Sequence, residues 1–350
     1  MGSVRSRWAR RRSNRLQPAF RSTSTFPKLE RNLPDTIPQI GFGLWKIAPE
    51  DCEAAILDAV RAGYRHFDSA ADYGNEEAVG KGIKAAIDQG LCSREDLWIT
   101  SKLWNTYHAP EHVETACRKS LSDLGLDYFD LYLVHFPIAL EFVPFEQRYP
   151  PEWVFDPAAK HPAMKPAKVP QHQTWTAMER LVDAGLARQI GVCNYSSALL
   201  HDLMSYSRIA PAVLQVESHP YLTQQKLIRL ARDYGMQVTA FSPFGALSYV
   251  EIGMAGAADS VLDEAAVTAA ATAHDKTPAQ VVLRWGIQRG NSVIPKSTNP
   301  DRMRENLAIT DFELTEAEMT AIDALDQGRR FNDPGVFCEA AFGTFFPIYD

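Results

Sequence analysis

The sequence predicts an α/β chain folded as a (β/α)8 barrel, the TIM-barrel architecture, in one domain. Three observations predict it. Short apolar runs alternate with amphipathic helical windows from about residue 39 onward, eight such runs can be counted, and no GxGxxG fingerprint follows any of them. Alternation implies parallel strands joined by helical crossovers, and eight units imply closure. The missing fingerprint weakens the competing open dinucleotide-binding sheet, of which GFG at 41–43 is only a fragment.

In chain order the candidate strands are QIGFGLW (39–45), YRHFDSA (64–70), LWITSKL (97–103), FDLYLVHF (129–136), ARQIGVCN (187–194), AVLQVES (212–218), QVTAFSP (237–243) and NSVIPKS (291–297). Between them lie windows with apolar residues three and four apart: 50–63, 76–88, 111–125, 174–185, 197–206, 225–235 and 278–290. Two stretches break the rhythm, a Pro-rich connection at 138–170 after the fourth strand and another at 245–262 after the seventh. Both leave the barrel end where strands finish, so they are expected to wall or cover a site.

Composition narrows the function. With 45% apolar residues the 350-residue chain can bury a sizeable interior, and no apolar run approaches the roughly 18 residues of a membrane span. Residues 1–25 hold seven arginines and no acidic residue; beyond them 29 basic residues face 43 acidic ones. An acidic body argues against nucleic acid as a partner, and any anionic cofactor must be met by local cations. The leader has the composition of an organelle transit peptide or of an unstructured extension, and both readings stay open. The expected layout is therefore a leader at 1–25 and a single domain at 26–350. Five scattered cysteines without CxxC spacing predict reduced thiols, a cytoplasmic or organellar location and no metal site.

Three ionisable residues finish three consecutive strands: Asp68, Lys102 and His135. One alone could be an ion-paired barrel lysine or a satisfied histidine. In a barrel, however, strand ends converge at one face, so all three share a pocket, and Tyr73 in DSAADYGNE follows close enough to point over it. A carbonyl reduction needs a proton donor for the developing alkoxide. A phenol serves if a neighbouring ammonium lowers its pKa from about 10 toward operating pH, while a carboxylate orients the ammonium. A neutral His135 would then hydrogen-bond the carbonyl oxygen.

The strings GYRHFDSAADYGNE, ITSKLW, DLYLVHFP, IGVCNYS, QVESHPYL, AFSPFG and VIPKS followed by R..EN resemble, in order, the signature blocks of the aldo-keto reductases, over roughly residues 37–335. The resemblance implies that Asp68, Tyr73, Lys102 and His135 form the catalytic tetrad, with Tyr73 as proton donor. It places a dinucleotide across the barrel mouth. Asn194 and Gln215 then meet the nicotinamide carboxamide, Phe241, followed by Ser242, stacks on the ring where a tyrosine is usual, and Cys193 replaces the usual serine. Lys296, Ser297 and Arg302 suit an adenosine 2′-phosphate, so NADPH is the expected coenzyme. Glu305 and Asn306 fall at the adenine, and Glu251 on a residue that permits NADH as well.

Within that family, HFPIALEFVPFEQRYPPEW and GRRFNDP are most similar to the D-xylose reductases. This implies a sugar pocket lined by Trp45, Asp72, Phe136 and Asn332, a C-terminal tail over it, a small sugar or aldehyde substrate and a homodimer. The expected reaction is reduction of an open-chain aldose. The alternatives are a reductase of sugar phosphates or general aldehydes, for which Lys46 and Arg330 are candidate cations, and a cofactor-sensing regulatory subunit.

Overall fold

The computed structural model describes residues 37–256 and 259–349; the leader at 1–25 and the approach to the first strand lie outside them. Eight parallel strands are hydrogen-bonded in sequence order. They are β1 Phe42–Gly43, β2 His66–Asp68, β3 Trp98–Leu103, β4 Phe129–Val134, β5 Ala187–Cys193, β6 Val213–Glu217, β7 Gln237–Phe241 and β8 Ser292–Val293. The first and last meet: Gly41 N–H donates to Val293 O at 2.8 Å, Val293 N–H to Gln39 O at 2.8 Å and Gly43 N–H to Pro295 O at 3.0 Å. The sheet thus closes into the expected barrel and leaves no free edge.

The described residues form twelve α-helices: α1 Pro49–Ala62, α2 Glu76–Asp88, α3 Pro110–Leu124, α4 Gln171–Asp183, α5 Ser197–Tyr206, α6 Gln225–Asp233, α7 Leu247–Val250, α8 Ala265–His274, α9 Pro278–Gln288, α10 Pro300–Leu307, α11 Glu316–Asp323 and α12 Pro334–Phe342. Local chemistry sets their ends. Prolines open α1, α3, α9, α10 and α12, where a missing N–H costs nothing. Capping boxes at Thr277/Gln280 and Thr315/Glu318 start α9 and α11. The inner face of α1 buries Cys52, Ala55, Ile56, Ala59 and Val60, residues three and four apart, against the sheet.

Two features depart from the sequence expectation. The strands β1 and β8 hold two residues each, far shorter than the runs around them; beyond β8, Pro295 has no N–H to continue the ladder. Helices α7, α8, α11 and α12 are not among the expected windows; α7 is a single turn inside the 245–262 connection, α8 is so alanine-rich that no apolar stripe stands out, and α12 lies in the tail. The GFG fragment also finds its explanation at the closing seam. A Cβ on Gly41 would sit 2.4 Å from the His66 ring, and one on Gly43 2.8 Å from Ile294 O. Because the second obstacle is backbone, Gly43→Ala is expected to destabilise the fold by about 1–3 kcal/mol, read as a fall in the urea midpoint; an unchanged midpoint would contradict this account of the seam.

Candidate active site

The C-terminal ends of the strands open into a cavity of about 580 Å³, within the usual range for small-molecule sites. Of the residues singled out from sequence, all but Lys102 and Arg330 line it. Lys102 lies beneath the floor, 1% exposed. The barrel therefore brings together residues spread over positions 45 to 332.

At the floor, Asp68 ends β2, Lys102 is the penultimate residue of β3 and His135 follows β4. Tyr73 closes a short 3-10 turn, Ala71–Tyr73, and Gly74 at φ 68° lets the chain turn away. An ammonium has three N–H donors, and all three of Lys102 are used: Asp68 Oδ1 at 2.5 Å, Ser69 O at 2.7 Å and the Tyr73 oxygen at 3.0 Å. The other carboxylate oxygen of Asp68 accepts from Gln215 Nε2 at 2.6 Å. With its oxygen already accepting from Lys102, the Tyr73 hydroxyl is left to donate its own proton elsewhere.

Burial would lower the Lys102 pKa, but Asp68 and Tyr73 outweigh it and hold the ammonium above its ordinary range. His135 is pushed well below the usual imidazole value by burial, then by Lys102 and His108, so it is neutral with one N–H to donate. Its ring packs on Phe136 at 5.0 Å and edge-on to Trp104 at 5.2 Å. Tyr73 corrects the sequence reading. Burial raises its phenol above the ordinary value, and the pull of Lys102 does not overcome that. The phenol is therefore kept in its protonated form and not tuned to neutrality.

The residues assigned to a dinucleotide extend from this floor to α10. Asn194, at φ 62°, donates through Nδ2 to His135 O at 2.9 Å and accepts from Tyr349 at 3.1 Å. Each of the Asn194 and Gln215 amide groups therefore keeps one N–H for a ligand. Phe241 ends β7, and the Ser242 hydroxyl lies 3.0 Å from that of Tyr249. At the far end Ser297 Oγ accepts from Asn299 N at 3.1 Å, and Asn299 caps α10, in whose first turn Arg302 stands. Among the described residues neither Lys296 nor Arg302 has an ion-pair partner, whereas Glu251 is held by Lys46 at 3.1 Å. Two unpaired cations beside a helix start fit a phosphate. Glu305 and Asn306 line the same end.

The opposite wall is aromatic with two polar breaks. Trp45, Phe136, Trp153, Phe337 and Phe342 face the cavity, and Trp153 stacks on Phe342 at 5.9 Å and meets Trp104 at 4.9 Å. Asp72 Oδ1 and Asn332 Oδ1 are buried without a protein partner. Burial, then the nearby Glu152, holds the Asp72 carboxyl well above the usual carboxylate range. Both connections foreseen as walls take part, through Trp153 and through Leu247, Tyr249 and Met254. Sequence reasoning missed Trp153, Tyr249, Phe337 and Phe342; the first stood in the quoted PPEW string, and the last two give no signal outside α12. Of the candidate phosphate cations, Lys46 is neutralised by Glu251, and Arg330 stacks on Tyr349 away from the cavity wall.

Comparison with known proteins agrees with this geometry. Residues 39–327 match the model of the aldo/keto reductase family. A probable NAD(P)H-dependent D-xylose reductase of Arthroderma otae is 50% identical over 327 residues, covering 93% of this chain and 97% of that protein. The NAD(P)H-dependent D-xylose reductase of Aspergillus niger is 48% identical over 325 residues, covering 92% and 99%. Among solved structures, a Bombyx mori aldo-keto reductase in complex with NADP superposes with a TM-score of 0.78 at 36% identity, covering 92% of this chain and 98% of that one. The aldose reductase of Schistosoma japonicum does so at 0.76 and 36%, covering 87% and 94%.

One buried acid beside the floor gives a measurable consequence. Glu76 opens α2, accepts from Ser101 Oγ at 2.6 Å through one oxygen and has no protein partner for the other. Burial raises its pKa from 4.5 to about 7. The folded state thus binds this proton more tightly than the unfolded chain; the contribution to stability is full below about 4.5 and is lost as pH rises through about 7. Glu76→Gln is expected to remove that loss. The variant gains up to about 3 kcal/mol over the parent at pH 8 and progressively less toward pH 5, measured by urea unfolding. Equal pH dependence in the two proteins would contradict the assignment.

Proposed function

The chain belongs to the aldo/keto reductase family, and on that premise we propose that it reduces the aldehyde of an open-chain aldose of the D-xylose class, with NADPH preferred and Tyr73 as proton donor. Membership makes it an NAD(P)H-dependent oxidoreductase. The observation that carries the finer reading is the buried relay from Gln215 through Asp68 and Lys102 to Tyr73, which opens into a cavity where Asp72 and Asn332, like His135, each keep a buried polar atom without a protein partner.

The reduced nicotinamide, when bound, supplies the hydride. Everything else is the work of side chains. Neutral His135 donates to the aldehyde oxygen and fixes its direction. Tyr73 passes its proton to that oxygen as negative charge develops, because an alkoxide is a far stronger base than a phenolate. Lys102 steadies the phenolate through the hydrogen bond it already makes, and Asp68 keeps the ammonium in place. Aromatic rings exclude water around the carbonyl, while Asp72 and Asn332 take sugar hydroxyls that would otherwise leave their own polar atoms unsatisfied. Lys296, Arg302 and Ser297 would hold the 2′-phosphate. The pairing of Lys46 with Glu251 counts against a sugar phosphate as substrate. Five unpaired thiols, four of them buried, support a reducing compartment such as the cytoplasm.

Two measurements test this. Tyr73→Phe should lower kcat with D-xylose by about 100-fold or more while NADPH binding, followed by tryptophan fluorescence, stays nearly unchanged; full turnover in a folded variant would overturn the role. Lys296→Met combined with Arg302→Ala should raise the KM for NADPH far more than that for NADH. Equal effects on both coenzymes would reject the phosphate assignment.

A further inference from the structure

Glu217, the last residue of β6, is fully buried, and its carboxylate has no lysine or arginine within ion-pair distance among the described residues. Its partners are instead two consecutive main-chain amides more than a hundred positions away. Phe331 N–H donates to Oε1 at 2.9 Å and Asn332 N–H to Oε2 at 2.9 Å, with His219 Nε2 also 2.9 Å from Oε1. A carboxylate is expensive to bury, so it must be fully hydrogen-bonded, and here that requirement is met by the tail.

We propose that Glu217 is a positioning residue for the substrate: a buried latch that grips the 331–332 turn and so sets the aim of Asn332 into the cavity. The proposal rests on the reading above that the cavity takes a polyhydroxylated aldehyde. Two amides on two oxygens of one carboxylate fix both the place and the direction of the main chain, as a single hydrogen bond would not. From that point Phe331 stacks on Tyr249 at 5.8 Å, and the Asn332 side chain leaves toward the cavity with its oxygen unpartnered. An amide at position 217 would place an NH2 against one of the two N–H groups, and the turn would have to move. Glu217 touches neither the floor tetrad nor the phosphate end, so its effect falls on recognition of hydroxyls and not on the chemical step.

The test compares Glu217→Gln, Asn332→Ala and the double variant, each assayed with D-xylose and with butanal, which has no hydroxyl to recognise. Glu217→Gln is expected to raise the KM for D-xylose about 10-fold or more, leave kcat/KM for butanal and the Kd for NADPH within about 2-fold, and add nothing to Asn332→Ala in the double variant. If Asn332→Ala raises the D-xylose KM and Glu217→Gln does not, the latch is overturned while the substrate reading stands. If Asn332→Ala has no effect on D-xylose, the substrate reading falls and the latch with it. Equal losses with xylose, butanal and NADPH binding would mark a general structural role and also overturn it. Should Glu217→Gln not fold, hydrogen exchange of the parent decides: the amides of 331 and 332 must exchange as slowly as those of β6, and exchange as fast as exposed tail amides would refute the grip.

Discussion

The site depends on an ion pair buried inside the barrel, Lys102 with Asp68. Removing two charges from water is costly, and a pair of this kind persists only when its geometry is tight and its remaining hydrogen-bonding capacity is filled. Both conditions hold. The three Lys102 donors are divided among a carboxylate, a backbone carbonyl and a phenol, and Gln215 completes Asp68. The pair is therefore a fixed electrostatic feature of the floor, and Tyr73 takes its direction from it. The burial that makes the pair rigid also raises the phenol, so one desolvated environment both keeps the Tyr73 hydroxyl protonated and orients it.

From this floor the cavity runs in two directions with different chemistry. Toward α10 it meets polar strand ends and cations without ion-pair partners, which suits an anionic dinucleotide. Toward the long connection after β4 and α12 it meets a wall of aromatic rings with polar breaks at Asp72 and Asn332. The strands contribute the floor because parallel strands of a barrel end at one face. The walls come from loops and from the tail, segments free to vary without disturbing the closed sheet. The tail is nonetheless not loosely draped: Glu217 grips its turn, and Tyr349 reaches Asn194. The aromatic wall and the polar floor are thus tied to the same two strand ends, β5 and β6.

Much of this was legible in the residues alone. Alternating periodicities of two kinds specify parallel strands and covering helices, and their number specifies closure. A charged residue at the end of an apolar run has little choice but to stand at the barrel mouth, which is why Asp68, Lys102 and His135 group together on sequence grounds alone. The matching strings placed many of the other cavity residues, though not Trp153, Tyr249, Phe337 or Phe342, because a motif conveys relative position even where periodicity is silent. Tyr349 and Glu217 escaped notice, the first at the extreme end of a tail without a pattern and the second inside a strand that reads simply as buried.

The sequence by itself determined the barrel, the order of its strands and the composition of the floor, since these follow from local patterns repeated along the chain. Only the tertiary structure decided the protonation of Tyr73, the pairing of Lys46 with Glu251 and the partners of Asn194, Gln215 and Glu217. Each of these depends on distances between segments remote in sequence and on how much water their packing excludes, and neither quantity is written in any short window of residues.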